Sequence, residues 1–198
     1  MFEQIEGKPS QSKGVIVMLI LASGSPRRRE LLEYITSDFT VITYPTDESF
    51  PPHVSPRRGA ELLALRKAKA VAGEHPGDVV IGADTIVVLE GKIFGKPKNH
   101  ADAVGMLQAL SGREHTVYTG VAVLSPQGEA VFSEGTAVRF LPLSQEEIEA
   151  YVATGEPMDK AGAYGIQGKG ALLVEGITGD FYNVMGLPVC RLSKALPV

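Results

Sequence analysis

A run of small and basic residues, Ser23-Gly24-Ser25-Pro26-Arg27-Arg28, is the first part of the sequence equipped for chemistry. It follows an apolar stretch, residues 15–21, that predicts a buried strand, and Ser25 and Pro26 are typical of a helix start. A helix N-terminus favours anions, so two arginines placed there are unfavourable unless an anion also binds. The run predicts a phosphate cradle; the alternative is a capped helix with solvated arginines. Arg29 is expected to be a plain surface residue.

A second candidate site is Gly82-Ala83-Asp84-Thr85, which interrupts an otherwise apolar stretch. A carboxylate buried there without a partner would be costly, and its small neighbours permit close approach of a ligand. Asp84 is therefore predicted to be a metal ligand or a general base. The alternative is a carboxylate at a bulge or turn between two strands. Asp47 and Glu48, in a loop, could supply further oxygen ligands to a hard divalent cation.

Three lysines complete a set of candidate phosphate ligands. Lys96 lies between Gly95 and Pro97, and Lys160 lies two residues before Gly162, both in predicted loops. Lys67 lies on a predicted helix. A lysine in such a loop can reach a phosphate with little steric hindrance. For each lysine taken alone, a solvated surface charge is the alternative.

A glycine-rich run, residues 162–170, resembles a phosphate loop but fails the Walker A pattern. Its spacing differs, and no serine or threonine follows Lys169. The glycines predict a loop that passes close to a ligand, with Gln167 available to a base edge. Basic residues together with acidic metal ligands indicate triphosphate chemistry, without identifying the nucleotide.

The secondary structure that must position these residues is predicted to contain both crossover helices and hairpins. Strands are predicted at residues 15–21, 39–44, 79–83, 86–89, 92–94, 115–124, 130–141 and 171–174, and helices from residues 26, 56, 99, 144 and 188. This mixture predicts a mixed sheet with flanking helices, in an α/β or α+β domain whose two lobes surround a cleft. Residues 15–198 are expected to form one domain, and residues 1–14 a flexible N-terminal extension.

Composition narrows the classes of protein that the chain can represent. The 198 residues are 44% hydrophobic and 21% charged, as in a globular protein, and the net charge of −4 excludes a general nucleic-acid binder. One cysteine allows no intrachain disulfide, which favours the cytoplasm. The longest apolar run is too short to cross a bilayer, so no membrane partner is expected. A signal-peptide core is the alternative for that run, but Glu3 and Glu6 precede it.

A resemblance adds to this interpretation. The segment from Leu19 to Arg28 resembles the opening signature of the Maf family of nucleoside triphosphate pyrophosphatases. Further blocks agree in the order of the family: Asp47-Glu48, Lys67-Ala68, residues 82–85, 95–97, 111–119, 159–168 and 184–188. The resemblance extends from about Met18 to the C-terminus.

The resemblance implies a fold similar to that of the inosine triphosphate pyrophosphatases. It implies hydrolysis of a nucleoside triphosphate to the monophosphate and pyrophosphate with a divalent metal, Mg or Mn, in nucleotide-pool quality control. Arg27, Thr85 and Gln167 resemble the branch that acts on dTTP and UTP rather than the sister branch acting on 7-methyl-GTP. Modified pyrimidine nucleotides are further candidate substrates, and a homodimer is one candidate assembly.

The roles that follow are expectations for named residues. Asp84 acts as general base on the attacking water or holds it through the metal, which Glu48 shares. Thr85 and Gln167 contact the pyrimidine. The triphosphate ligands are Ser23, Ser25, Arg27, Arg28, Lys67, Lys96 and Lys160. A non-catalytic nucleotide-binding or division-regulating module is the rival hypothesis, and it would require a damaged acidic site.

Overall fold

The computed structural model of the protein describes residues 17–197. The predicted extension, residues 1–14, and the first two residues of the predicted first strand lie outside this range. Within it, seven strands form one mixed sheet in the order β2-β1-β3-β5-β6-β7, with β4 also paired to β3. The strands are β1 (Leu19–Leu21), β2 (Thr40–Val41), β3 (Val79–Leu89), β4 (Lys92–Phe94), β5 (Glu114–Ser125), β6 (Gly128–Phe140) and β7 (Val174–Thr178).

Helices cover both faces of this sheet, which confirms the predicted mixed α/β class. The α-helices are α1 (Pro26–Leu32), α2 (Pro56–Ala72), α3 (His100–Leu110), α4 (Gln145–Val152), α5 (Phe181–Met185) and α6 (Val189–Ala195). Three 3-10 segments, Glu156–Asp159, Ala161–Ala163 and Gly168–Leu173, occupy the glycine-rich region. Within residues 17–197, no helix combines the length and apolar character needed to cross a membrane.

Side-chain caps begin three of the helices. Ser55 and Asn99 accept hydrogen bonds from the backbone N–H groups of Arg58 and Asp102, and Ser144 forms a capping box with Glu147. At α1 the side chain of Ser25 forms no such capping bond.

The strand β3 is continuous through Asp84 and Thr85, so the predicted break there is wrong. β5 pairs with β3 along its length, including Asp84 with Gly120 and Thr85 with Thr119. This pairing satisfies the backbone of β3 on one side throughout. The alternative in which Asp84 occupies a turn is therefore also wrong.

The other edge of β3 is covered in two pieces. β1 pairs in parallel with its start, ending at Leu21 opposite Ile81, and β4 pairs antiparallel with its end, from Val87. Between these pairings the edge of β3 is left open, and this opening contains Asp84 and Thr85. The split edge divides the molecule into two lobes that share the long strands β3, β5 and β6.

Packing on α2 determines which side chains reach this opening. Gly82 and Gly120 face α2, where a Cβ atom would collide with the backbone of Ala64 and Ala60, respectively. The missing side chains let the helix backbone approach the sheet closely. Asp84 lies two residues beyond Gly82 and therefore on the same face of β3, towards α2.

Sequence reasoning misplaced smaller elements. The predicted strand at residues 39–44 is only Thr40–Val41, and the one at 171–174 is observed as β7 at Val174–Thr178. The short helix α5 was not predicted. The hairpin of β5 and β6 is confirmed, with Ser125 pairing to Gly128 across the turn.

Candidate active site

A cleft of about 1090 Å³ opens at the split edge of β3, between the two lobes. Its walls come from the β1–α1 turn, the β2–α2 connection, α2, β3 and the 3-10 segments of the second lobe. Eleven of the candidate residues singled out from the sequence line it, and Asp47 does not: Ser23, Ser25, Arg27, Arg28, Glu48, Lys67, Asp84, Thr85, Lys96, Lys160 and Gln167. Residues spread over 145 positions of the chain thus share one cavity.

An ammonium group lies between two carboxylates at the centre of the cleft. Lys67 Nζ is 2.7 Å from Asp84 Oδ1 and 2.8 Å from Glu48 Oε1. The Asp84 side chain is 14% exposed and that of Glu48 65%. The hydrogen bond and charge of Lys67 hold the pKa of Glu48 below its usual value, with smaller contributions from Lys96 and Arg28. Glu48 is therefore a carboxylate at neutral pH.

The donor set in this cluster fits a magnesium-like cation. Such ions bind one or two carboxylates and complete their coordination with water and substrate phosphates. Asp84 and Glu48 supply two carboxylates, and both contact the same Lys67 ammonium. Among residues 17–197, no three His, Cys, Asp or Glu side chains form a metal-binding group, so an all-protein cage is not provided there. Asp47 lies apart from this pair, since its carboxylate accepts from Ser49 N and lies near Arg66.

Arg28 lies on the opposite face of β3 and is held by protein acceptors. Its Nε donates to Gly186 O (2.8 Å), and Nη1 donates to Ala83 O (2.9 Å) and Ser23 Oγ (3.1 Å). Its Nη2 donates to Thr85 Oγ1 at 2.9 Å. Of the five guanidinium N–H groups, one on Nη2 is left for a ligand. Burial lowers the pKa of Arg28, against the opposing charge of Asp84. The predicted phosphate contact of Arg28 stays a prediction.

The hydroxyl of Thr85 is also engaged within the protein. Its Oγ1 lies 2.9 Å from Thr119 Oγ1, which in turn donates to Asn183 O at 2.9 Å. Because Thr119 has one hydroxyl proton, Thr85 must be the donor to Thr119 while it accepts from Arg28. The hydroxyl proton of Thr85 is thus not available to a base. Its predicted contact with a pyrimidine remains untested.

A second group of charges spans the mouth of the cleft. Asp159 lies 3.1 Å from Arg27 Nη1 and 2.8 Å from Lys160 Nζ. Partial burial raises its pKa, but the hydrogen bond from Lys160 and the charge of Arg27 outweigh this and leave the pKa below the usual value. Arg27 belongs to α1 and Lys160 to the second lobe, so Asp159 connects the two lobes. Lys96 is exposed on the same cleft.

Sequence reasoning missed three residues that line the cleft. Tyr44 is an aromatic side chain 43% exposed there, and Glu156 and Asp159 are acids beside the glycine-rich loop. Asp159 is adjacent to Lys160 in the block of residues 159–168 that carries the family resemblance, which was a usable signal. Glu156 had no such signal, since its partners lie 13 and 14 residues further on.

Comparison with known proteins places this site in a family. The sequence profile described as "Maf-like protein" matches residues 18–197. A dTTP/UTP pyrophosphatase of Geobacillus sp. (strain WCH70) is 56% identical over 89% of this chain and 95% of its own. A dTTP/UTP pyrophosphatase of Moorella thermoacetica is 56% identical over 91% of this chain and 94% of its own. A Ham1 protein of Staphylococcus aureus superposes with a TM-score of 0.46 at 18% identity, over 62% of this chain and 71% of its own. On the profile and these identities, the chain belongs to the Maf family.

Proposed function

We propose that this protein hydrolyses dTTP and UTP to the nucleoside monophosphate and pyrophosphate. The observation that carries the proposal is Asp84, a largely buried carboxylate on the open edge of β3, held by Lys67 beside Glu48. Relatives that are 56% identical over nearly their whole length have the name dTTP/UTP pyrophosphatase. The rival hypothesis, a non-catalytic module, requires a damaged acidic site, and both acids line the cleft.

In this proposal Asp84 is the general base. Its Oδ1 accepts from Lys67, which leaves Oδ2 to take a proton from a water molecule that attacks the α-phosphorus. Lys67 keeps the carboxylate oriented. A divalent cation, Mg or Mn, bound by Asp84 and Glu48 would neutralise charge on the phosphate oxygens.

The cations around the cleft would hold the triphosphate. Arg27, Lys96 and Lys160 line the cleft, where they can stabilise negative charge developing on the leaving pyrophosphate. Binding there replaces the contacts that Asp159 now makes with two of these cations. The Ser23 and Ser25 segment and the one unused N–H of Arg28 line the same cleft.

Base selection is assigned to Gln167. This residue is exposed on the cleft, and its amide offers both a donor and an acceptor to the imide edge of uracil or thymine. Thr85 would contribute by fixing Arg28 and through its remaining lone pair. The role is removal of unwanted pyrimidine nucleotides from the cytoplasmic pool, and the free, exposed thiol of Cys190 is compatible with a reducing compartment.

A nucleotide panel tests this function. We expect higher kcat/KM for dTTP and UTP than for CTP and 7-methyl-GTP, with pyrophosphate as product and dependence on added Mg or Mn. A preference for 7-methyl-GTP would overturn the choice of substrate. Absence of hydrolysis with every triphosphate, metal present, would favour the binding module.

A further inference from the structure

Glu156 lines the cleft, yet its carboxylate is turned towards the main chain of the glycine-rich loop. Oε2 accepts from Lys169 N at 3.1 Å, and Oε1 accepts from Gly170 N at 3.2 Å and from Tyr151 Oη at 3.1 Å. Each carboxylate oxygen thus meets at least one backbone N–H group of this loop. These contacts point to a structural task for the acid rather than to metal binding.

The other end of the same loop is held by Tyr151. Its hydroxyl, in a residue only 5% exposed, accepts from Gly165 N at 3.2 Å. Tyr151 and Glu156 therefore bind the segment 165–170 at both ends through main-chain N–H groups. Gln167 lies between the fixed ends, and its exposed side chain faces the cleft.

Glycine is required for this close approach. Gly168 has a φ of +64°, and a Cβ atom there would lie 2.9 Å from Glu156 Oε2. A Cβ on Gly170 would lie 2.6 Å from the hydroxyl of Tyr151. The segment that carries Gln167 is thus shaped around the Tyr151 and Glu156 pair.

Glu156 also holds a phosphate ligand, but by a different atom. Its backbone carbonyl accepts from Lys160 Nζ at 2.5 Å, whereas the carboxylate holds the loop. A change confined to the carboxylate should therefore disturb the base end of the cleft and spare the phosphate end. This separation makes the role of the acid testable.

We propose that Glu156 is a positioning residue for base recognition, fixing the main chain that presents Gln167 to the pyrimidine. This inference rests on the proposed hydrolysis of dTTP and UTP. Glu156 does not touch the substrate; it acts through the Lys169 and Gly170 N–H groups.

The test is Glu156→Gln, which keeps the size of the side chain. In either orientation of the amide, its NH₂ group faces a backbone N–H donor, so one anchor of the loop is lost. We expect about a 10-fold rise in KM for UTP and an equal loss in UMP affinity by calorimetry, as for one such hydrogen bond. Pyrophosphate affinity should be unchanged. Glu74→Gln, at an exposed turn residue directly after α2 that does not line the cleft, is the matched control and should behave as the wild type.

A double-mutant cycle separates positioning from general loosening. In a Gln167→Ala background, Glu156→Gln should cost nothing further, since the two changes remove one interaction. If Glu156→Gln fails to fold, Tyr151→Phe replaces it as the test. This variant removes only the hydroxyl and should also raise KM for UTP. An additive cycle, or pyrophosphate affinity that falls with UMP affinity, would overturn the inference. A wild type that does not cleave dTTP or UTP would instead overturn the proposed function.

Discussion

Asp84 and Thr85 are neighbours on β3, but they belong to two differently built regions of one cleft. On the α2 face, Asp84 shares the Lys67 ammonium with Glu48, and its second oxygen is free for a ligand. On the α1 face, Thr85 and Arg28 are bonded to each other and to protein groups in the turn after β1, on β3, on β5 and in the turn after α5. The first region has a carboxylate oxygen available to a water molecule or a cation. In the second region almost all hydrogen-bonding groups are already paired within the protein.

This difference shows that a charged residue on a cleft is not by itself a ligand. Four of the five guanidinium N–H groups of Arg28 donate to protein acceptors. Its removal should therefore destabilise the structure around the cleft as well as weaken substrate binding. Among the residues that the structure describes, the Asp84 carboxylate has one hydrogen-bond partner, Lys67, so loss of the carboxylate should damage chemistry alone. Activity and stability measured together on the same variants separate these two kinds of effect.

Asp84→Asn should have the largest effect on turnover. Loss of the base should lower kcat for UTP by about 10²–10⁴-fold, while Lys67 keeps Glu48 as a partner and the unfolding midpoint stays close to that of the wild type. Asp47→Asn, next to Glu48 but directed towards Arg66, is the matched control and should retain activity. Near-normal turnover by folded Asp84→Asn would remove the residue from the reaction.

Arg28→Ala should lose both activity and stability. A charge-assisted contact worth roughly 1.5–3 kcal/mol corresponds to about a 10–150-fold loss in kcat/KM. The carbonyls of Ala83 and Gly186 lose their donor, so the free energy of unfolding should fall by about 1–3 kcal/mol as well. Arg28→Lys should not restore either property, since an ammonium cannot reproduce the guanidinium fork.

The neighbouring Arg29→Ala is the control for this prediction. The Arg29 side chain is 67% exposed, and within residues 17–197 its one ion pair is with Glu33 at the end of α1, which is worth at most about 0.5 kcal/mol. If Arg28→Ala and Arg29→Ala changed activity and stability equally, the account of Arg28 as the residue that holds β3 and the turn after α5 in place would be contradicted.

Gln167→Glu should change base selection with little effect on stability. A carboxylate offers acceptors only and would face the O2 and O4 acceptors of a pyrimidine unfavourably, while it suits the N–H donors of a guanine edge. We expect kcat/KM for dTTP and UTP to fall by about 10-fold or more, because a polar mispair leaves buried groups unpaired. An unchanged pyrimidine rate would place Gln167 outside the base site.

The smallest effect at neutral pH concerns His115, a buried imidazole on β5 whose Nδ1 has no hydrogen-bond partner among residues 17–197. Its Nε2 lies 2.8 Å from the hydroxyl of Tyr164, and burial lowers the pKa of His115 to about 4. Between pH 6.5 and 4 the unfolded chain binds this proton and the folded protein does not, so stability falls as pH falls. We expect a loss of about 2 kcal/mol at pH 5 relative to pH 7, absent in His115→Gln. Chemical denaturation of the wild type and of His115→Gln at several pH values would measure this loss of stability. If the free energy of unfolding depended on pH identically in both proteins, the burial of a neutral His115 would be contradicted.

The positions of these residues in one cleft could be predicted from the sequence, because motifs at strand ends and helix starts converge at a sheet edge. Their orientation could not, since Asp84 and Thr85 were placed at a break in the strand. Only the pairing of β3 with β5, more than 30 residues away, shows a continuous strand with the two side chains on opposite faces. Glu156 escaped notice for the same reason, because its partners are brought to it by the folding of the glycine-rich loop.

The central claim is that a water held by Asp84 attacks the α-phosphorus of a pyrimidine nucleoside triphosphate. Hydrolysis of UTP in water enriched in oxygen-18, followed by mass spectrometry of both products, tests it most directly. The account predicts a single labelled oxygen in UMP and unlabelled pyrophosphate. Label in the pyrophosphate, or release of inorganic phosphate in its place, would contradict it.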